Sequence, residues 1–415
     1  MYKSKLIKLL SLLTPEESRM FYKFIRSVFY QNNANVVRLY EYLRKYYPDF
    51  PEKKLQKELV FEKLFPGRTY SLNTLAALMS KMVRLLQEFL LILDLRSDQF
   101  EREKRLVRIY GQRNQYDLFE KGTRELLDQL VSSETPSLIN TIALNHQLYF
   151  HPLHNKYDPE DDSLENLMDA LDQYFVLEKM RYGIALMSKQ KILTHPYKWK
   201  LMEAVREGSS DIISPILFQL YTIAFALLEE KRSVNFKSFE KLFFEHIQDL
   251  DNRDKSLLYF TGLNYANGQV NAGKTAFSPI ALKWYQDGLT NNLLLDNQKM
   301  DETTFGNIVT YGCREKEYAW TKNFISFYQV LLEDETREAV VTYNLALLHF
   351  SLQEFDKALA ILNNYSFPEK DQPKARLTII RTLFELFLKD QDYYDVLISN
   401  IRSFEMVISR NSFFE

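Results

Sequence analysis

Cysteine is nearly missing from this 415-residue chain: Cys313 stands alone, beside only eleven glycines, twelve prolines and three tryptophans. A single thiol excludes an intrachain disulfide and offers neither a zinc knuckle nor a redox pair, so a reducing, cytoplasmic setting is expected. Scarce Gly and Pro, against plentiful Leu, Phe, Tyr, Lys and Glu, disfavour turn-rich sheets and favour long helices. Long apolar runs are missing too. The most apolar window, "ILFQLYTIAFALL", spans 13 residues and includes Gln219 and Thr222, too short and too polar to cross a bilayer. The opening "MYKSKLIKLLSLLTPEE" reads as an amphipathic helix, because Lys8 interrupts its apolar run and no small-residue cleavage site follows.

What is there is charge, in unequal halves. The net charge is −2, yet residues 1 to 110 hold 21 Lys and Arg against 12 Asp and Glu, a net of +9. The other 305 residues hold 32 basic and 43 acidic side chains, a net of −11. Such asymmetry marks either a basic region that docks on an acidic one or a contact with an anionic partner, nucleic acid being the alternative to a protein partner.

Helix starts are written in four pairs, Thr14-Pro15, Thr135-Pro136, Ser214-Pro215 and Ser278-Pro279, where the hydroxyl supplies an N-cap oxygen and the proline lacks only a donor that the helix does not use. Glu17 adds a capping box to the first. The other prolines fall between apolar-periodic segments, and no strand pattern emerges. Beyond about residue 210 an aromatic recurs near the start of each second helix, at Phe236, Phe277, Tyr318, Phe355 and Tyr394, with spacings of 41, 41, 37 and 39. That period predicts stacked helix pairs, each too thin to bury its own apolar face. The clearest unit is "YNLALLHFSLQEFDKALAILNN", Tyr343 to Asn364, in which small Ala346 and Ala358 let two helices approach and Phe355 plugs the gap. It resembles a tetratricopeptide repeat; elsewhere Thr321 and Leu397 replace the second alanine. Upstream, "GQRNQYDLFEKG" repeats the turn-plus-aromatic look at Tyr116, and "LDQYFVLEKMRYGIALMSKQKIL" is a long helix whose Gly183 marks a close crossing or a kink. The fold class expected is all-α, a superhelix of antiparallel helix pairs, in three regions: a basic N-terminal helical region spanning 1–96, a middle helical region spanning 97–210 and tetratricopeptide-like repeats spanning 211–415.

Candidate chemistry is thin. "NGQVNAGKTAF" contains G-x-x-x-x-G-K-T from Gly268 to Thr275, but a P-loop needs a buried strand before it and a helix opening at its lysine. Here the upstream segment reads as a helix end, and Ser278-Pro279 opens a new helix downstream, so no nucleotide is expected. His146, His151 and His154 sit beside a run of acids, Asp158, Glu160, Asp161 and Asp162. Their spacing does not put two imidazoles on one helical face, so a surface loop is expected and metal is not. Cys313 has no nucleophile motif around it and reads as a small buried hydrophobe. No cofactor and no catalytic residue are assigned. In the basic region, "YSLNTLAALMSKMVRLLQEFLLIL" faintly has the look of a recognition helix with Lys81 and Arg84, but its apolar stripe is explained by bundle packing, and Asn73 is its one candidate base reader.

The chain as a whole resembles a family of tetratricopeptide-like helical proteins from Bacteroidota, through "LTPEESRMFYKFI", "KLFPGRTY", "LMSKMVRLLQEFL", "LDQYFVLEKMRYGIALMSKQKIL" and "YGCREKEYAWTKNFI". The resemblance implies the helical-repeat fold and a chain running somewhat beyond Glu415, and it carries no activity. The repeat likeness implies a peptide groove: Asn307 and Asn344 are 37 residues apart at one repeat position, with Asn264 one unit earlier and Tyr343 beside them. Asn amides there would hold the backbone of an extended peptide, or else satisfy a neighbouring loop. A non-catalytic scaffold that binds protein or peptide, away from membranes, is the resulting expectation.

Overall fold

A computed structural model describes residues 1–27, 33–132, 137–193, 197–208, 210–229 and 236–410; the Thr135-Pro136 pair lies outside them. The described residues are all-helical, with one isolated bridge between Asp296 and Lys299 and no strand. The chain divides into two units, Met1–Met168 and Asp169–Glu415.

In the first unit, α1 (Lys5–Ser11), α2 (Pro15–Ile25), α3 (Ala34–Arg44), α4 (Lys57–Leu64) and α5 (Leu72–Ser97) close around Phe21, Leu39, Tyr40, Met82 and Leu86. The opening stretch is thus two helices, parted where Thr14 caps the second. The capping box is complete: Thr14 Oγ1 accepts from the Glu17 amide at 3.2 Å, and Glu17 Oε2 accepts from the Thr14 amide at 2.7 Å. A smaller core of Val107, Phe119, Leu126, Leu144 and Leu148 joins α6 (Gln99–Gln112), α7 (Tyr116–Val131) and α8 (Leu138–Tyr149).

The long α9 (Ser163–Leu193) leads into α10 (Met202–Gly208), α11 (Pro215–Leu228), α12 (Phe236–His246), α13 (Asn252–Asn271), α14 (Ser278–Thr290), α15 (Glu302–Arg314), α16 (Tyr318–Tyr328), α17 (Arg337–Ser351), α18 (Phe355–Asn363), α19 (Gln372–Lys389) and α20 (Tyr394–Arg410). From α11 onward each helix packs on the next, and α11 on α13, α15 on α17 and α17 on α19 also touch. The five recurring aromatics stand at helix starts: Phe236, Tyr318, Phe355 and Tyr394 are first residues, and Phe277 directly precedes α14. Trp284 lies fully buried among Phe239, Phe243 and Tyr259, and its carbonyl accepts the Tyr259 hydroxyl at 2.7 Å. The indole fits because Gly262, opposite on α13, has no side chain; a Cβ there would collide with the ring. Gly183 makes the same kind of close crossing, on α9 against Phe225 of α11 and Met202 of α10.

Three hairpins share one turn. At α6–α7, α15–α16 and α17–α18 the helix ends on a left-handed residue, Asn114 (φ 57°), Lys316 (φ 60°) and Gln353 (φ 61°). In each, that residue's amide bonds the carbonyl three residues back, and the next amide reaches the carbonyl five back: Gln115 to Tyr110, Glu317 to Gly312, Glu354 to His349. This is the Schellman closure, which satisfies the carbonyls orphaned at a helix end. One residue later the aromatic Tyr116, Tyr318 or Phe355 opens the returning helix. Ala346 and Ala358 of α17 and α18 are both fully buried, which permits the close approach read from their size.

Two serine caps differ from the sequence expectation. Ser214 precedes α11, but its hydroxyl makes no cap bond. Ser278 is the first residue of α14, and its Oγ is buried without a hydrogen-bond partner. A 3₁₀ turn, Thr275–Phe277, runs straight into the helix, which therefore starts one residue earlier than the Ser-Pro pair implies: Phe277 takes the cap position and the serine is drawn into the first turn.

Candidate functional site

The G-x-x-x-x-G-K-T stretch is a helix ending. Gly268 lies inside α13, which runs on to Asn271, and Gly273 (φ 84°) is the left-handed residue of the same Schellman turn. Its amide bonds the Val270 carbonyl, and the Lys274 amide bonds Gln269 at 3.0 Å. Amides that a P-loop would aim at phosphate therefore close a helix, and Lys274 Nζ bonds the Gln269 side chain at 2.5 Å.

The residues expected to line a peptide groove occupy different environments. Asn264 is exposed on α13 and Asn307 is half-buried on α15. Tyr343 sets its hydroxyl 3.2 Å from Thr378 Oγ1, with Lys374 over its ring. Asn344 is 3 % exposed; its Nδ2 donates to the Val340 carbonyl at 2.8 Å, and its Oδ1, facing Gly306 of α15, has no hydrogen-bond partner. Sequence reasoning passed over Asn267. Its Nδ2 donates to the Tyr285 hydroxyl at 3.1 Å, and the Asn307 side chain also hydrogen-bonds that hydroxyl. Asn267, Tyr285 and Asn307 thus form a polar seam across α13, α14 and α15, in which burial pushes the Tyr285 phenol up while the two amides oppose it. The 40-residue step from Asn267 to Asn307 was the available signal.

The histidine segment is a loop exposed at most of its residues, with His146 exposed on the helix before it, but two of its histidines turn inward. His151 and His154 are buried, at 8 % and 9 % exposed. His151 lies against the Phe119 ring, at 4.7 Å between centroids, and reaches the Gly111 carbonyl at 3.3 Å. His154 sits between the Tyr116 hydroxyl, 3.0 Å from Nδ1, and Asp161 Oδ2, 3.1 Å from Nε2. Of the four acids expected to be solvated, Asp158, Glu160 and Asp162 are exposed, and Asp161 is the exception, 5 % exposed at its side chain. Burial opposes its charge, but hydrogen bonds from His154 and Ser163 outweigh that and hold the Asp161 carboxyl below the usual value. Tyr116 is pushed up to about 12 by burial and by nearby Glu120. Aromatic packing draws His151 and His154 inward; Ser163 and His154 both face Asp161 Oδ2, while Asp161 Oδ1 is buried without a hydrogen-bond partner.

A second polar cluster had no sequence signal, since its members are 70 and 73 residues apart. Arg181 on α9 donates to both Asp254 carboxylate oxygens at 2.7 Å, to Asp251 at 2.5 Å and to Glu178 at 3.0 Å. The fully buried Tyr221 hydroxyl donates to Asp254 at 2.5 Å, and Arg253 closes the ring on Glu178 at 2.5 Å. Burial works against the Arg181 charge, yet Asp254, Glu178 and Asp251 hold it firmly protonated; burial, then Asp254, pushes the Tyr221 phenol up. The network ties α9 to α11 and α13, with every strong donor and acceptor facing a partner. Cys313 is buried, and burial pushes its thiol up. Among the described residues no group of three or more His, Cys, Asp and Glu is placed to hold a metal ion, and no helix is long and apolar enough to cross a membrane.

The surface that stands out in the second unit is on α19. Ala375, Leu383 and Leu386 bury one face of it. The opposite face carries Leu377, Phe384 and Leu388, 50 %, 48 % and 63 % exposed, at i, i+7 and i+11, which places them in one stripe. No family model, curated protein or solved structure matches the chain.

Proposed function

We propose that the chain is a non-catalytic helical-repeat scaffold, its later helices forming a tetratricopeptide-like solenoid, and that it binds a segment of another protein on α19. The observation that carries this reading is the Leu377, Phe384 and Leu388 stripe. A helix pair stacked in an array normally covers such a stripe with its neighbour, and an apolar stripe left in water is a place for another protein to dock. The shared Schellman turn supports the repeat character, and the inward-directed polar clusters support a structural role for the buried charges. Exposed Asn264 and the Asn307 end of the amide seam give a second, polar strip that an extended peptide backbone would engage.

The test is affinity capture with wild type and with Leu377→Asp/Phe384→Asp/Leu388→Asp, both checked for helix content by circular dichroism. Loss in the variant of proteins captured by wild type is expected. Unchanged capture would remove α19 from the interface, and no specific capture by wild type would end the scaffold reading. Asn307→Ala in the same experiment asks whether the polar strip contributes.

A further inference from the structure

The first unit carries a long trough between α1 and α5 that its own core does not fill. On α5 the residues Leu72, Ala76, Met79, Val83, Gln87 and Leu90 advance by four and three, forming a stripe beside the core-facing row of Leu75, Leu78, Met82, Leu86 and Phe89. Leu6 and Leu9 of α1 form the facing wall. Two hollows, about 450 and 720 Å³, open along it and share Gln87 as a common wall residue. From Leu72 to Asp94 the stripe runs about 33 Å, six helical turns at 1.5 Å per residue.

Charge along the trough is ordered. The hollow at the start of α5 is lined by Lys5, Lys57 and Arg84 and by no carboxylate, all three cations are exposed, and none forms an ion pair among the described residues. The hollow at its far end is lined by Glu17 and Asp94 and by no cation. Floor and rims together ask for an occupant with an apolar face, acids at one end of it and bases at the other. An α-helix meets that demand at the right pitch, since side chains at i, i+3, i+4 and i+7 enter a groove of this form.

We propose that the α1–α5 trough binds an amphipathic helix of another protein, its acidic end over Lys5, Lys57 and Arg84 and its basic end over Glu17 and Asp94. This goes beyond the α19 reading and concerns the other unit. A second copy of the chain, or nucleic acid on the three cations, are the competing occupants. A charge-ordered apolar floor favours the helix, because nucleic acid would use the cations and leave Leu72, Met79 and Val83 exposed to water.

The probe is a fluorescein-labelled helical peptide with a leucine stripe, glutamates beside the stripe in one half and lysines in the other, titrated into the full chain by fluorescence anisotropy. Saturable binding is expected, weakening with salt and by roughly tenfold in Lys5→Glu/Arg84→Glu, where attraction at two rim positions becomes repulsion. Leu72→Asp, at an exposed position that does not endanger folding, should also weaken it, and Val83→Asp should abolish it. A peptide with every glutamate replaced by lysine should bind at least tenfold more weakly. Absent or equal binding of these peptides, or indifference to Lys5→Glu/Arg84→Glu, overturns the proposal. So does a dimer in light scattering that dissociates in Leu72→Asp, or retardation of RNA or DNA lost in Lys5→Glu/Arg84→Glu without any peptide binding.

Discussion

Single residues in this protein are held by space as much as by bonds. At Gly262 the Trp284 ring already occupies the volume a methyl would need, so Gly262→Ala should cost about 3 kcal/mol by overpacking, read as a lowered urea midpoint. A loss under about 1 kcal/mol would mean that Trp284 can move aside. Asn344 is the opposite case. Its buried Oδ1 has no partner, so Asn344→Leu removes a group that gains nothing from burial, and stability should stay within about 1 kcal/mol of wild type in the same denaturation. A loss of several kcal/mol would show that Oδ1 has a partner in solution. At the hairpin turns, Gln353 bears the steric cost of a left-handed backbone; Gln353→Gly should therefore raise the midpoint by an amount worth roughly 0.5 to 1 kcal/mol.

Between elements, the Arg181 cluster fastens α9 to α11 and α13. Arg181→Ala strands the Asp254 carboxylate in a buried site and should cost about 3 to 5 kcal/mol, whereas Arg181→Met with Asp254→Leu should recover most of that loss by removing both charges. Equal losses in the single and double variants would show that packing, not charge, is what the cluster supplies. Burial opposes ionisation of Glu178, but Arg253 and Arg181 outweigh it and hold its carboxyl below the ordinary value of 4.5. A depressed folded-state value stabilises fully above 4.5 and fades as pH falls through it, so Glu178→Gln should flatten the decline in stability below that pH and leave its slope at neutral pH unchanged. At this scale the sequence was generous in one respect and silent in another. Helix identity, the aromatic starts of the returning helices and the buried alanines of α17 and α18 were legible, because period and side-chain size are local. The Arg181 cluster, the inward loop of His151 and His154, and the seam through Tyr285 depend on residues brought together by packing, which no spacing rule reports. The serine cap failed at Ser278 for a related reason: the 3₁₀ turn before it moves the helix start by one residue, which decides whether a hydroxyl meets an amide.

Across the whole molecule, the stripe on α19 and the trough beside α5 are apolar surfaces facing water, each belonging to its own unit. Because the α19 stripe faces water and contributes nothing to the core, replacing Leu377, Phe384 and Leu388 by lysine should leave the melting temperature within a few degrees of wild type, read by circular dichroism, while removing the proteins that wild type captures. The excess of positive charge in residues 1 to 110 is consistent with the three exposed cations at the head of the trough. The Schellman hairpin is indifferent to most of its spelling. "RNQY", "EKEY" and "LQEF" build one and the same joint, demanding only a residue that tolerates the left-handed backbone and a ring two places on. Such a joint tolerates wide variation in its letters, so the same bend can be built from spellings that share little beyond the ring, and its likeness shows in dihedral angles where the letters differ.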